Sequence, residues 1–248
     1  MDGFELRKSA ILHKAFTGEL TERWRKEHGV GLESWKQLSI ASICYSLKYG
    51  TAKKSEKSGP VVVLRMGNLQ QGEIDWSDLA YSSDMDDIEK YRLEADDVLF
   101  NRTNSAALVG KTSIYRGEYP AIYAGYLIKL DYDHEIVTGD FLNYALNTDR
   151  AKEYCNLVKT DGVNQSNINA KKIGAYVISV PQIDEQKEIV KLLQKLFALE
   201  KHAKETAEAV LSQIDTMKKA ILARAFRGEL GTNDPAEESA VELIKAVL

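Results

Sequence analysis

Cysteine and histidine are scarce in this chain, with two of the first and four of the second in 248 residues. Cys44 and Cys155 cannot build a disulfide framework and read as buried structural thiols. His13, His28, His134 and His202 share no His-x-x-x-His spacing, and no Cys-x-x-Cys pair exists, so no metal site is expected. Neither a Gly-x-Gly-x-x-Gly nor a Gly-x-x-x-x-Gly-Lys-Ser/Thr loop is present, which leaves dinucleotide and nucleoside triphosphate binding without support. A Gly-x-Ser-x-Gly elbow is also missing. So is the Asn/Asp-Pro-Pro-aromatic tetrad that holds a target amine in amino-methyltransferases, and the chain is not expected to be an enzyme of that kind. No run approaches the roughly 18 apolar residues of a membrane span, and the start lacks the basic and apolar regions of a signal peptide, so a cytoplasmic location is expected. The net charge of -4 argues against indiscriminate binding to polyanions. Any nucleic-acid site must be a local patch on an acidic body.

What the chain does have is a repeated phrase. Lys8-Ser-Ala-Ile-Leu-His-Lys-Ala-Phe-Thr-Gly-Glu-Leu20 returns as Lys218-Lys-Ala-Ile-Leu-Ala-Arg-Ala-Phe-Arg-Gly-Glu-Leu230. Each copy places its apolar residues at helical spacing and then meets a glycine, Gly18 or Gly228, suited to the left-handed position that ends a helix. With 44% apolar residues the chain has room for one globular domain plus an extended element.

Four parts separate along the sequence. Residues 1–30 form an N-terminal helical arm, with the charged stretch from Thr21 to His28 extending the first helix until Gly29 and Gly31 break it. Residues 31–182 form a mixed α and β domain. Its short β-branched and aromatic runs are Val61 to Met66, Asp97 to Asn101, Thr112 to Tyr115, Ala121 to Leu130 and Tyr176 to Val180, and a helix is predicted from about Thr138 to Leu157. Residues 183–230 form one long helix. Ile189, Leu193, Leu196, Ala203, Ala207, Val210, Ile214, Met217 and Ile221 follow a coiled-coil seam spacing, broken by Glu200. Such a seam needs a partner helix and the arm is too short to cover it, which implies a second copy of the chain. Residues 231–248 read as an acidic tail. The fold class is α+β.

Three polar clusters suit DNA. Asn101-Arg-Thr-Asn104 leaves a buried strand, and Asn, Gln and Arg side chains pair with purine edges in the major groove. Lys159-Thr-Asp-Gly-Val-Asn-Gln-Ser-Asn-Ile-Asn169 follows, with Lys171 and Lys172 behind it. A loop carrying Lys48, Lys53, Lys54 and Lys57 looks mobile and able to lie along phosphates. Each of these residues is individually as much at home in a turn or on a solvated surface. Arg102, Asn104, Asn164, Gln165 and Asn167 are the candidates for base readout, and Lys53, Lys54, Lys111, Lys171 and Lys172 for phosphate contact. Asp184, Glu185 and Lys187 loosely suggest a Mg²⁺-dependent nuclease, but Asp184 is also placed to cap the long helix, with Glu185 and Glu188 favoured by its dipole.

Several stretches, in order, carry a family resemblance: Trp35-Lys-Gln-Leu38, Gly50-Thr51, Leu64-Arg-Met-Gly-Asn-Leu69, Leu93 through Asn104, Gly110-Lys111, Gly162-Val-Asn-Gln-Ser-Asn-Ile168, Val180 through Gln186, and Ala225-Phe-Arg-Gly-Glu-Leu230. The chain resembles a specificity subunit of a type I restriction-modification system, in a half-size form with a single target-recognition domain. The resemblance implies a non-catalytic partner of double-stranded DNA whose spacer helices dock modification subunits, which carry S-adenosylmethionine and methylate adenine, and restriction or motor subunits. Two copies paired antiparallel would read an interrupted palindrome. A truncated regulatory fragment that exchanges with full-length subunits is the other form such a chain could take.

Overall fold

A computed structural model describes residues 3–163 and 165–230. The acidic tail and Asn164 lie outside the described residues. The chain divides into two units, the first ending at Phe197 and the second beginning at Ala198. The first unit thus runs past residue 182, because the first turns of the long helix belong to its core. No helix among the described residues is long and apolar enough to cross a membrane.

The centre of the first unit is a four-stranded antiparallel sheet in the order Cys44–Tyr49, Leu127–Tyr132, Val98–Asn101, Thr112–Ile114. Strand Val98–Asn101 is buried along its whole length because the sheet is covered on both faces. Val98 and Phe100 face a core built with the helices Gly139–Leu146 and Asp149–Val158, whereas Leu99 and Leu127 face a second core with Val62, Leu64 and Tyr123. The run from Ala121 to Leu130 is two strands, Ala121–Tyr123 and Leu127–Tyr132, split at Gly125. Ala121–Tyr123 pairs in parallel with Val61–Leu64, so the chain must turn there to serve two sheets.

The helix predicted from Thr138 to Leu157 is likewise two helices. Thr148 interrupts it by turning its hydroxyl to the Ala151 amide as an N-cap, and the apolar periodicity running through both halves concealed the break. In the arm, Gly3–Phe16 and Glu22–His28 are separate helices. Gly18 stands between them at φ 83°, and a methyl group there would lie 2.6 Å from Leu32. Gly228 has φ 71°, so both copies of the repeat end in the left-handed turn that their glycines suggested.

Strand Lys36–Ser39 pairs antiparallel with Val177–Val180, closing the ends of the domain on each other. This brings Trp35 to the start of the long helix, Ile183–Phe226. There Glu185 is buried and accepts hydrogen bonds from Thr21 Oγ1 at 2.6 Å, Arg25 Nη1 at 2.7 Å and Trp35 Nε1 at 2.9 Å. Arg25 Nη2 reaches on to the Gly18 carbonyl at 2.6 Å. Gln186 is equally buried, donating to the Ile136 and Pro181 carbonyls and accepting the Thr138 amide. Asp184 sits inside the first turn beside Lys187 and is not the cap. The nuclease reading therefore loses its middle residue. No group of metal-ligating side chains is found among the described residues.

Ile189 and Leu193 are fully buried in the first unit and Leu196 is partly buried, so the seam proposed from spacing does not begin until after them. In the second unit Ala203, Ala207, Val210, Ile214, Met217 and Ile221 are all exposed.

Burial raises the Cys44 thiol to about 12, with the nearby Asp131 charge adding to it, and raises Cys155 to about 11. Both thiols stay protonated at neutral pH, and the thiolate is the reactive form. Iodoacetamide is expected to label the native chain far more slowly than the chain in urea, as intact-mass time courses would read. Equal rates would mean that the thiols are open to solvent.

Candidate nucleic-acid interface

Two of the three polar clusters meet in one small sheet. Thr160–Asp161 pairs with Ser166–Asn167, and Ser166–Asn167 pairs with Thr103–Asn104, all antiparallel. The Ile168 amide adds a bond to the Arg102 carbonyl at 2.8 Å. Loops some 60 positions apart in sequence are thereby fixed by backbone pairing, and their side chains are displayed together. Asn167 Nδ2 donates to Thr103 Oγ1 at 2.8 Å, and Asn104 Oδ1 accepts the Ser105 amide at 2.8 Å, leaving the Asn104 amide nitrogen without a partner among the described residues. Gln165 is exposed, and Val163 at the turn is fully exposed. Arg102 is half-buried, with its guanidinium over the Tyr49 ring and Nη1 on the Gly125 carbonyl. Four of the five base-readout candidates, Arg102, Asn104, Gln165 and Asn167, therefore share this site. The fifth, Asn164, falls outside the described residues.

Positive charge follows directly. Asn169 caps the short helix Ala170–Gly174 by accepting the Lys172 amide, which places Lys171 and Lys172 in the first turn after the sheet. Lys171 is exposed and has no ion-pair partner among the described residues. Lys172 Nζ donates to Thr160 Oγ1 at 2.6 Å, keeping it beside the sheet.

The remaining phosphate candidates divide. Lys53 is held by Asp84 at 2.7 Å and Asp87 at 3.4 Å, and the Asp84 hydrogen bond raises its pKa, so its charge is already spent inside the chain. Lys111 Nζ donates to Gln70 Oε1 at 2.8 Å and is partly buried. Both lysines are engaged within the chain, by acceptors in segments that sequence reading did not connect to them. Lys54 is exposed and unpaired among the described residues. Its loop is tied down more than its Gly and Ser content suggested: Thr51 bridges to Ala124, and Glu56 exchanges two backbone bonds with Tyr81.

Sequence reasoning missed the aromatics of this region. Tyr49 and Tyr126 are exposed large side chains, each next to a glycine. Gly50 lies where a methyl group would come 2.1 Å from the Tyr123 carbonyl oxygen, and Gly125 lies against the Thr51 carbonyl. A Tyr beside a Gly at a strand end was the available signal, since the Gly lets two backbones cross while the Tyr is left at the surface.

A family model described as "Type I restriction modification DNA specificity domain" matches residues 33–209. Curated relatives include the EcoKI specificity subunit of Escherichia coli (strain K12) and the StySPI specificity subunit of Salmonella potsdam, both type I restriction enzyme subunits. Each is 28% identical over 93% of this chain and 50% of its own length. The chain thus spans about half the length of these relatives. Among solved structures, the HsdS subunit from Thermoanaerobacter tengcongensis superposes with a TM-score of 0.58 at 17% identity, covering 92% of this chain and 51% of that one. A chain from a structure of a type I R-M system concerned with complex assembly and conformational transition gives a TM-score of 0.63 at 18% identity, covering 79% of this chain and 47% of that one. At these identities the structures establish the fold.

Proposed function

Because the chain belongs to the type I restriction-modification DNA specificity family, we propose that its first unit reads the sequence of double-stranded DNA and leaves catalysis to partner subunits. The observation that carries this reading is the small sheet that gathers Arg102, Asn104, Gln165 and Asn167 beside Lys171 and Lys172. Asparagine, glutamine and arginine supply base discrimination, and the lysines supply register through phosphates. Residues 31–182 and the first turns of the long helix form the recognition domain, with residues 3–30 as an arm locked onto it. Modification subunits carrying S-adenosylmethionine, and restriction or motor subunits, complete the assembly.

In the second unit, the exposed row from Ala203 to Ile221 serves as the contact for a second copy, whose helix runs antiparallel. The whole helix has 44 residues, about 66 Å at about 1.5 Å per residue, and a two-fold pair of such chains reads an interrupted palindrome. Coexpression with a modification subunit, followed by mapping of methylated adenines, tests this: a two-fold motif is expected, and an asymmetric one overturns the homodimer.

The two classes of contact separate by salt. Gln165→Ala or Asn104→Ala is expected to relax one position of the bound sequence, with a discrimination loss of about 1–3 kcal/mol. Lys171→Ala should weaken binding to all sequences alike and lower the slope of log affinity against log salt by about 1. Titration of matched and mismatched duplexes at several salt concentrations measures both. Unchanged binding by all three variants would remove the small sheet from the DNA.

A further inference from the structure

Three segments distant in sequence converge on one guanidinium. The Arg102 carbon Cζ lies 4.7 Å from the centroid of the Tyr49 ring, and Nη1 donates to the Gly125 carbonyl at 3.1 Å. The Arg102 backbone is pinned as well, its amide donating to the Tyr126 carbonyl at 3.0 Å and its carbonyl accepting the Ile168 amide at 2.8 Å. Tyr49 is itself held in place: its hydroxyl accepts the Ala170 amide at 2.9 Å. Ala170 opens the helix Ala170–Gly174, and a first-turn amide has no partner within its own helix. The Tyr49 ring thus spans the arginine on one side and the lysine-bearing helix on the other.

Arg102 Nε is buried and has no hydrogen-bond partner among the described residues, so contact with a ligand falls to the two terminal nitrogens. Among the described residues its side chain makes one hydrogen bond, through Nη1, and Nη2 is uncommitted. An arginine reads guanine through two parallel bonds to O6 and N7, which requires the plane of the guanidinium to be set before contact. Stacking on an aromatic face sets that plane, and a carbonyl on one nitrogen fixes the rotation within it.

We propose that Tyr49 is a positioning residue for sequence readout: its ring, with the Gly125 carbonyl, presents Arg102 in the orientation that takes a guanine edge in the major groove. Lys48, the preceding residue, is engaged with Asp131 on the neighbouring strand and takes no part. The proposal rests on the reading that the Arg102 loop faces DNA. It adds that the specificity of this position depends on a residue that itself contacts no base.

The test is selection of a randomised duplex pool by the full chain and its Arg102→Ala, Tyr49→Phe and Tyr49→Leu variants, with the bound fraction sequenced. Arg102→Ala is expected to remove a guanine preference at one position, by roughly 5- to 150-fold. Tyr49→Leu should weaken the preference at that same position by about threefold or more, while Tyr49→Phe, which keeps the ring, should retain it. The proposal is overturned if Tyr49→Leu lowers affinity for every sequence equally, or leaves the guanine preference within about twofold of the parent while Arg102→Ala removes it. Should Arg102→Ala change no position, the DNA-facing reading of the loop fails and the proposal fails with it. Thermal melting of each variant checks folding, and Tyr49→Gln, which keeps an acceptor for the Ala170 amide but no ring, replaces Tyr49→Leu if the latter does not fold.

Discussion

Replacement of Glu185 by alanine is expected to cost the first unit about 3–5 kcal/mol. The carboxylate and the Arg25 guanidinium retain only 2% and 8% side-chain exposure, so truncation leaves a buried cation with no counter-charge. It also strips the acceptor from the Thr21 hydroxyl and the Trp35 indole, each buried or partly buried. Against a total stability of roughly 5–15 kcal/mol, that is a large fraction. Urea titration followed by tryptophan fluorescence would read it directly, and the melting temperature should fall on the order of 10 °C for a unit of this size. Glu185→Gln keeps a carbonyl acceptor and should lose less. The double variant Arg25→Met/Glu185→Leu, which removes both charges, should recover part of the loss, since a missing ion pair costs less than half of one. If Glu185→Ala melted like the parent, the arm and the long helix would not be joined through this carboxylate.

Leu193→Ala and Ile214→Asp, both in the same helix, should fail in opposite ways. Leu193 is fully buried in the main core beside Ile189, and removing its methyl groups is expected to cost about 2–5 kcal/mol through lost burial and the cavity left behind. That loss belongs to one chain and should not depend on protein concentration. Ile214 is 41% exposed in the second unit, and a charge there should leave the melting of the first unit unchanged. In the proposed pair the same aspartate would be buried without a partner, so sedimentation velocity is expected to show a dimer for the parent and a monomer for the variant. A Leu193→Ala chain that lost only self-association would return Leu193 to the seam and overturn its place in the core.

The contrast between these two residues shows what spacing alone conveys. A 4,3,4,3 pattern marks the apolar face of a helix, and the helix is there from Ile183 to Phe226. It does not say what lies against each turn of that face. Ile189 and Leu193 satisfy the pattern by packing on the domain, and Val210 and Met217 satisfy it while exposed. The same limit governed Glu185 and Gln186. Their position in a first turn was legible, but their partners Arg25, Trp35, Ile136 and Thr138 lie about 50 to 160 positions away, and it takes the pairing of Lys36–Ser39 with Val177–Val180 and the packing of the main core to bring those segments together. Local signals fared better. Gly18 and Gly228 adopt the left-handed turn their repeat demands, because that requirement is set within a few residues. The polar clusters at Arg102 and Asn167 were visible as composition, but their union was not, since two-residue strands carry no periodicity. Lys53 and Lys111 looked free for the same reason: the acceptors Asp84 and Gln70 are long-range neighbours.

The small sheet joins Thr103–Asn104, Ser166–Asn167 and Thr160–Asp161 through main-chain amides and carbonyls, which every residue type except proline supplies equally. Its pairing therefore does not depend on the identity of its exposed side chains, although Thr103 and Ser166 are buried. Under the proposed function, exchange of an exposed side chain such as Gln165 is expected to alter what is recognised with little toll on folding. The buried contacts around Glu185 are the opposite kind of place, where a substitution is expected to cost folding. The proposed recognition surface and the buried joint thus occupy separate parts of one unit, so side chains of the first can change while the architecture is held still by the second.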